Sequence, residues 1–179
     1  MEFNLKAFGT GAATAAPAKY YNLNRTPALV SSVTDPFTGP IDSTKWTVSA
    51  TAGTATASGG ILTLSPNAGP SAAIYVTSVG SYSLNGSQTS TKVVAVVDPG
   101  GNINNKFIVR APGNQNELGW QYEHGILYAY YRVNGVETDP GQVTYSAATH
   151  AYWRVRQSGT SVYWETSPDG VNYTCKPRW

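Results

Sequence analysis

The sequence contains one cysteine, Cys175, and few charged residues. A single cysteine excludes an internal disulfide and a cysteine-based zinc site. Charged residues make up only 12% of the chain, and its twelve Lys and Arg residues are scattered rather than clustered. Because binding to a nucleic-acid backbone needs clustered positive charge, we expect no nucleic-acid partner.

The chain also lacks long apolar runs and helical periodicity. Its first residues, Met1 to Phe8, have neither a basic start nor an uninterrupted apolar stretch, which argues against a secretory signal. No later stretch is long enough to cross a bilayer, so we expect no membrane insertion. No phosphate-cradling glycine loop precedes a helix, and no amphipathic helix is visible.

Short strand patterns are present instead, about every ten residues, and turn residues such as Asn134-Gly135 and Pro168-Asp-Gly170 separate them. Many short, evenly spaced strands predict an all-β fold, namely a two-sheet antiparallel sandwich or jelly roll. The predicted strands are 46–50, 61–65, 73–77, 89–97, 106–111, 117–124, 126–133, 142–145, 150–157, 162–167 and 171–174.

Residues 1–33 differ from the rest of the chain. They contain a run of small residues from Gly9 to Ala18 and sustain neither helical nor strand periodicity. The sequence therefore predicts an extended N-terminal docking arm, 1–33, followed by a β-sandwich domain, 34–179. We expect a neighbouring subunit to hold the arm, because few large apolar groups offset its ordering entropy. The alternative is a tail that lies on its own domain.

Two strands joined at His124-Gly125 form the hairpin around which we organise the fold. A two-residue turn places directly opposed residues on one face, which predicts an inward set of Leu118, Trp120, Tyr122, Leu127, Ala129, Tyr131 and Val133. The outward set is Gln121, Glu123, Tyr128, Tyr130 and Arg132. Flat rings beside amides and charges suit a sugar or a protein partner. Alternatively, these tyrosines are ordinary surface residues of a strand.

A second hairpin follows at 150–157 and 162–166. Its predicted inward residues are Trp153, Val155, Val162 and Trp164, and its predicted outward residues are Arg154, Arg156, Tyr163 and Glu165. If both outer faces belong to one sheet, the two outward sets form one ligand-binding groove. The alternative is a cross-strand salt bridge or Arg-on-Tyr stacking, which contributes under about 1 kcal/mol at an exposed site.

The residues that carry acid–base or metal chemistry are dispersed. His124 lies at a turn and His150 at a strand start, and nothing indicates a Ser/His/Asp arrangement. The segment Asp98-Pro-Gly-Gly-Asn102 could wrap calcium, but it is more typical of a plain turn. We therefore predict no catalytic residues, no metal site and no cofactor.

Several motifs resemble concanavalin A-like (laminin-G-like) jelly-roll domains over residues 34–174. They are Asp35-Pro-Phe37 with Ile41-Asp42 and Lys45-Trp46, the strand Gly60–Leu64, and the pair His150–Arg156 and Val162–Gly170. The last pair, together with Leu127–Gly135, is similar to modules in minor tail proteins of phages that infect actinobacteria, and in some bacterial surface proteins. The motifs indicate fold more directly than function.

This resemblance implies a non-enzymatic structural protein of a phage virion, assembled in the host cytoplasm. We expect a minor tail or tail-tip protein that forms a homo-oligomer, binds other virion proteins through its arm, and contacts a cell-surface glycan or adjacent subunits. One alternative is a capsid decoration protein of the same fold. The other is a bacterial carbohydrate-binding module or glycan hydrolase.

The sequence departs from the family pattern in two respects. The catalytic acids of glucanases with this fold are closely spaced on one strand, whereas Glu117, Glu123, Glu137 and Glu165 are isolated from one another. Family members also continue into further strands after the Ser-Pro-Asp-Gly turn. We therefore expect an open sheet edge after residue 174, covered by the N-terminal arm or by a neighbouring chain.

Overall fold

The computed structural model describes residues 28–67, 72–97, 104–111, 113 and 115–178. Within these residues the chain forms one short 3₁₀ helix, Val30–Ser32, and otherwise antiparallel strands. The strands are β1 (Trp46–Ala50), β2 (Gly53–Ser58), β3 (Ile61–Pro66), β4 (Ile74–Ser78), β5 (Gln88–Lys92), β6 (Asn105–Arg110), β7 (Glu117–Glu123), β8 (Ile126–Val133), β9 (Val136–Thr144), β10 (Tyr152–Ser158), β11 (Ser161–Ser167) and β12 (Thr174–Arg178).

These strands form two larger and two smaller antiparallel sheets. One four-stranded sheet has the order β6-β7-β8-β9, and the other has the order β12-β11-β10-β5. The pairs β1–β4 and β2–β3 form two-stranded sheets. The prediction of an all-β chain with antiparallel sheets is confirmed.

The core lies between the two four-stranded sheets. It contains the buried side chains of Leu84, Leu118, Trp120, Tyr122, Leu127, Ala129, Trp153, Val155, Val162 and Trp164. Both hairpins therefore turn their predicted inward residues to one shared core. Val133 was also expected there, but it is 37% exposed because it lies at the end of β8, next to the turn into β9.

The organising hairpin has the predicted turn and register. His124 and Gly125 both have positive φ, 49° and 77°, which is the backbone geometry of a two-residue hairpin turn that follows the strand twist. Leu118 lies opposite Tyr131 and Trp120 lies opposite Ala129. Alternation along β7 and β8 therefore separates an apolar inner face from a polar outer face.

Several strand boundaries differ from the prediction. β2 was not expected, because its residues Gly53–Ser58 are small and carry no large apolar side chain that marks a strand. β9 starts at Val136, six residues before the predicted start, and continues through Pro140 and Gly141. β5 ends at Lys92, so residues 93–97 are not a strand. Alternation alone missed β2 and the first part of β9, because pairing with a neighbouring strand stabilises them.

The residues after the Ser-Pro-Asp-Gly turn correct a further expectation. Instead of leaving β11 as an open edge, Thr174–Arg178 form β12, which pairs antiparallel with β11. The last predicted strand, 171–174, was placed too early. β11 is therefore covered by the chain's own next segment.

Part of the predicted arm contacts the domain. Val30 donates its N–H to the carbonyl of Ser83, and the N–H of Ser83 donates to the carbonyl of Ala28. The rest of the predicted arm, 1–27, lies outside the described residues, as does the whole of the candidate calcium turn at 98–102. In the part that is described, no helical segment has the length and apolar character that a membrane span needs.

Candidate functional site

The nine predicted ligand-binding residues lie in two different sheets. Gln121, Glu123, Tyr128, Tyr130 and Arg132 belong to β7 and β8, whereas Arg154, Arg156, Tyr163 and Glu165 belong to β10 and β11. The single-groove hypothesis required both outer faces to be in the same sheet, and that requirement is not met. The cause is that the two hairpins pack through their inner faces, so each outer face lies in its own sheet.

We name the two outer surfaces by their side chains. The glutamate-rich face is the outward surface of β6–β9, and it carries Lys106, Arg110, Glu117, Gln121, Glu123, Tyr128, Tyr130, Arg132, Glu137 and Asp139. The arginine–tyrosine face is the outward surface of β12-β11-β10-β5. Its described side chains include Gln88, Ser90, Lys92, Tyr152, Arg154, Arg156, Tyr163 and Glu165, with Tyr173 beside them.

Glu117 lies at the centre of an ion-pair network on the glutamate-rich face. Its side chain is 1% exposed, and its carboxylate accepts a hydrogen bond from Arg110 Nε at 2.7 Å. The hydroxyl of Tyr130 donates to the other carboxylate oxygen, and Arg132 Nη1 lies 3.5 Å from the same oxygen. Arg132 also reaches Glu137 Oε2 at 3.2 Å, so one guanidinium bridges two carboxylates.

The environment shifts the titration of both members of the buried pair. Burial alone would raise the pKa of Glu117, but the hydrogen bonds from Tyr130 and Arg110 and the nearby arginine charges hold that pKa below its ordinary value. Burial, together with the hydrogen bond to the Glu117 carboxylate, raises the pKa of the Tyr130 phenol. Glu117 is therefore ionised and Tyr130 neutral near neutral pH.

Tyr130 and Gln121 are buried although they point outward. Tyr130 is 0% exposed, because the Lys106 ammonium lies 3.9 Å from its ring centre and the Glu117 network surrounds its hydroxyl. Gln121 is 7% exposed and donates to Glu123 Oε2 at 3.1 Å. The expectation that both side chains are available to a ligand is wrong, since their surface is already covered by neighbouring side chains.

Glu137 and Asp139 bring further carboxylates to the same face. Thr138 lies opposite Tyr131 and Gly141 opposite Ala129, so β9 has a bulge at Asp139 and Pro140. Partial burial of its carboxyl group and the neighbouring Glu137 carboxylate raise the pKa of Asp139. Glu117 and Glu137, which are isolated in sequence, are therefore joined through Arg132.

The arginine–tyrosine face repeats the motif of one buried glutamate between two arginines. Glu165 is 5% exposed and accepts from Arg154 Nε at 2.7 Å and from Arg156 Nη2 at 2.9 Å. The Arg154 guanidinium lies 3.5 Å from the ring centre of Tyr173, and that of Arg156 lies 4.2 Å from the ring centre of Tyr163. The alternative predicted from sequence was a cross-strand salt bridge or Arg-on-Tyr stacking, and both contacts are present.

Glu165 also titrates below its ordinary range. Burial would raise its pKa, but the hydrogen bonds and positive charges of Arg156 and Arg154 outweigh burial and lower it. Stacking on tyrosine rings restricts the rotation of both guanidiniums. Both guanidinium groups therefore lie against tyrosine rings on this face.

Prediction from sequence missed several members of both networks. Glu117, Lys106, Arg110 and Glu137 were not selected, nor were Tyr173 and Lys92. The signal for Glu117 was present, because the predicted two-residue turn already places it opposite Arg132. The same holds for Glu137, which lies opposite Arg132 across the Asn134-Gly135 turn. Lys106, Arg110 and Lys92 could not be placed, since they belong to strands whose pairing with the hairpins is a tertiary feature.

The two histidines lie outside the strands, and His124 Nε2, in the turn between β7 and β8, is 4.0 Å from Glu123 Oε1. His150 is 8% exposed, and its Nδ1 accepts the backbone N–H of Ser146 at 3.1 Å. Its ring lies beside Tyr145, which makes an edge contact with Trp153. Among the described residues, no three His, Cys, Asp or Glu side chains are grouped so that they could hold a metal ion.

Comparison of the chain with protein-family models, curated proteins and solved structures finds no match in any of the three. The resemblance of its motifs to concanavalin A-like domains and to phage tail modules therefore stays a prediction.

Proposed function

We propose that this protein is a non-enzymatic structural component of a phage virion, namely a minor tail or tail-tip protein whose β domain contacts a host-surface glycan. The finer fold proposal is a concanavalin A-like jelly roll, with the two four-stranded sheets as its two layers. The motif resemblance at 35–46, 150–156 and 162–170 supports the family and the virion context. The geometry of the two outer faces supports the absence of catalysis.

The non-enzymatic proposal rests on the lowered pKa values of the two buried glutamates, Glu117 and Glu165, and on their pairing with arginines. Glycoside hydrolysis needs a carboxylic acid with a raised pKa and a second carboxylate across the bond to be cut. Glu117 and Glu165 have lowered pKa values, and each is held by two arginines. They are suited to fixing arginines in place rather than to donating protons.

Glycan contact is supported by the partly exposed groups around those glutamates. Tyr128 and Tyr163 are half-buried, so each offers part of a ring on which a sugar C–H face can pack. Arg154 and Arg156 present planar donor groups for hydroxyls, carboxylates or phosphates. A surface of this kind can bind a polymer without a deep cleft.

A second candidate function, glycan hydrolysis, is favoured by Asp139. Its pKa is raised by partial burial and by Glu137, which is the direction that a general acid requires. If the protein hydrolysed glycans, Asp139→Asn would abolish the activity while leaving the fold unchanged. Under the virion proposal, wild type releases no reducing ends from any polysaccharide it binds.

The virion proposal is tested on particles. Phage particles purified by density gradient are analysed by mass spectrometry and labelled with an antibody against the β domain. We expect the protein to copurify with intact particles and the label to lie on the tail. A label on the head surface would instead support capsid decoration. Absence of the protein from particles of a phage that expresses it would contradict the proposal.

A further inference from the structure

We propose that the arginine–tyrosine face is the glycan-binding surface, and that its ligand is an acidic glycan, a sugar polymer bearing carboxylate or phosphate groups. This inference rests on the proposed glycan contact and adds both the face and the ligand class. It is carried by the different charges of the two outer faces, by the stacked arginines, and by a depression at one end of the face.

The two outer faces carry opposite excess charge among their described side chains. On the arginine–tyrosine face, the three cations Lys92, Arg154 and Arg156 stand against Glu165 on β11 and against Asp169, which accepts from Ser167 in the turn after β11, so one positive charge is in excess. On the glutamate-rich face, three cations stand against four carboxylates; these are Lys106, Arg110 and Arg132, and Glu117, Glu123, Glu137 and Asp139. An anionic polymer is therefore attracted to the first face and repelled by the second.

The arginines are arranged to recognise anions rather than only to attract them. The single carboxylate of Glu165 engages Arg154 through Nε and Arg156 through Nε and Nη2, so it balances one of the two positive charges. The Arg154 guanidinium lies over the ring of Tyr173, and the Arg156 guanidinium lies over the ring of Tyr163. Because their orientation is fixed before binding, less side-chain entropy is lost when an anion forms hydrogen bonds with them.

Tyrosine rings on the same face supply the contact with sugar. Lys92 lies opposite Tyr152 and its ammonium is 5.8 Å from that ring centre, so the alternation of cation and ring continues onto the edge strand β5. The combined row runs from Lys92 through Arg154 to Arg156. Such alternation fits a polymer that repeats a charge and an apolar sugar face at every unit.

A depression at the Arg156 end of this row offers a place for one unit of the polymer. Its volume is about 340 Å³. Its lining combines Arg156 with hydroxyl, amide and glycine groups, namely Ser31, Gly86, Ser87, Gln88, Gln157, Ser158 and Gly159. That volume lies at the lower end of the roughly 300–1,000 Å³ typical of small-ligand sites. The lining suits a charged sugar unit because it offers hydrogen-bonding groups and a positive charge.

The test is titration calorimetry of the full chain with three polymers: polygalacturonate, a glycerol-phosphate teichoic acid, and neutral dextran. The first two distinguish carboxylate from phosphate as the source of the anion. We expect at least one acidic polymer to bind more than tenfold tighter than dextran. Raising the salt from about 0.05 M to about 0.5 M should weaken that binding, because the Debye length shortens several-fold.

Variants locate the site. Lys92→Gln removes an exposed charge that does not contact Glu165, and we expect it to weaken acidic-polymer binding about threefold to fivefold. Arg156→Gln should weaken it about tenfold or more, with circular dichroism checking the fold of each variant. Lys45→Gln is the matched control, since it removes the same charge from the exposed turn before β1. Lys45→Gln should change binding by less than twofold, and Tyr128→Ala is measured to test whether the opposite face contributes.

The binding results distinguish the acidic-glycan inference from the proposed glycan contact on which it rests. Tight binding to dextran with no preference for either acidic polymer would overturn the inference and leave glycan contact standing. Loss of binding in Tyr128→Ala but not in Lys92→Gln would move the site to the other face and also overturn it. If wild type binds no glycan from the host wall, charged or neutral, both proposals fail.

Discussion

Trp120 and Trp164 tie the two four-stranded sheets together by exchanging hydrogen bonds across the core. The indole N–H of Trp120, on β7, donates to the carbonyl of Arg154 on β10 at 3.0 Å. The indole N–H of Trp164, on β11, donates to the carbonyl of Gly119 on β7 at 2.7 Å. Both rings are fully buried, so each sheet satisfies a polar group of the other where water cannot reach.

Replacing Trp164 with Phe tests this exchange. The variant removes the N–H, leaves the Gly119 carbonyl without that donor, and opens space in the core. We expect a loss of about 2–4 kcal/mol in the free energy of unfolding, measured by urea denaturation. Trp46→Phe is the control, because its indole bonds to Asp35 in a half-buried position, and its loss should be smaller. Equal losses would contradict the expectation that the position of Trp164 between the two sheets makes its hydrogen bond more important than that of Trp46.

Gly119→Ala should be strongly destabilising. A Cβ at this position would lie 2.1 Å from the carbonyl oxygen of Phe107 and 2.7 Å from the Cα of Ile108, which are backbone atoms of the adjacent strand. The ladder between β6 and β7 must shift to admit the methyl group, and overpacking of this kind costs roughly 1–3 kcal/mol or more.

The matched control for that variant is Gly39→Ala. Gly39 has no atom within 4 Å of a built Cβ and no positive φ. Thermal unfolding should show a clear drop in Tm for Gly119→Ala and a change close to zero for Gly39→Ala. A wild-type Tm in both variants would mean that β6 and β7 are not paired in this register.

Tyr130→Phe should destabilise the protein even though the ring is retained. It removes the hydroxyl that donates to the buried Glu117 carboxylate, and a hydrogen bond to a charged group contributes about 1.5–3 kcal/mol. The control is Tyr128→Phe on the same strand, for which we expect a change within about 0.5 kcal/mol, as for most surface substitutions. Chemical denaturation of both variants measures the difference. A neutral Tyr130→Phe would show that the network around Glu117 does not depend on this donor.

Acid should destabilise the fold through the two buried glutamates. Since the folded-state pKa values of Glu117 and Glu165 are below the ordinary value of 4.5, their contribution is fully present above that pH. It is lost as the pH falls from there through the lowered folded-state values. We therefore expect the free energy of unfolding to decrease as the pH is lowered from about 5 to about 3.

Glu165→Gln checks this assignment. The variant should be less stable than wild type at pH 7, because Arg154 and Arg156 lose their shared carboxylate. It should also have a shallower decline below pH 5. A decline as steep as that of wild type would assign the acid sensitivity to other carboxyl groups.

Turn residues and the alternation of apolar and polar residues predicted the two hairpins correctly. The His124-Gly125 turn fixes the register of β7 and β8, and alternation then places Trp120 and Leu127 in the core. The same logic failed for β2, whose small residues give no apolar signal, and for β9, where Pro140 and Gly141 interrupt the pattern. In both strands, pairing with a neighbour overrides the weak propensity of the local sequence.

The candidate site was less predictable than the core. Alternation shows that Tyr130 and Arg156 point outward, but not which sheet each belongs to or what covers it. Burial of Tyr130 depends on Lys106 from β6, which pairs with β7 across a separation that the sequence pattern does not encode. The separation of the two outer faces likewise follows only from the packing of the hairpins against each other.

We propose that this domain binds a sugar polymer without cutting it. The most direct measurement combines cosedimentation of the full chain with wall polysaccharide of the host and an assay for reducing ends on the same samples over a day. We expect the protein to pellet with the polymer and the reducing ends to stay at the level of the polymer alone. A steady rise in reducing ends that Asp139→Asn abolishes would contradict it.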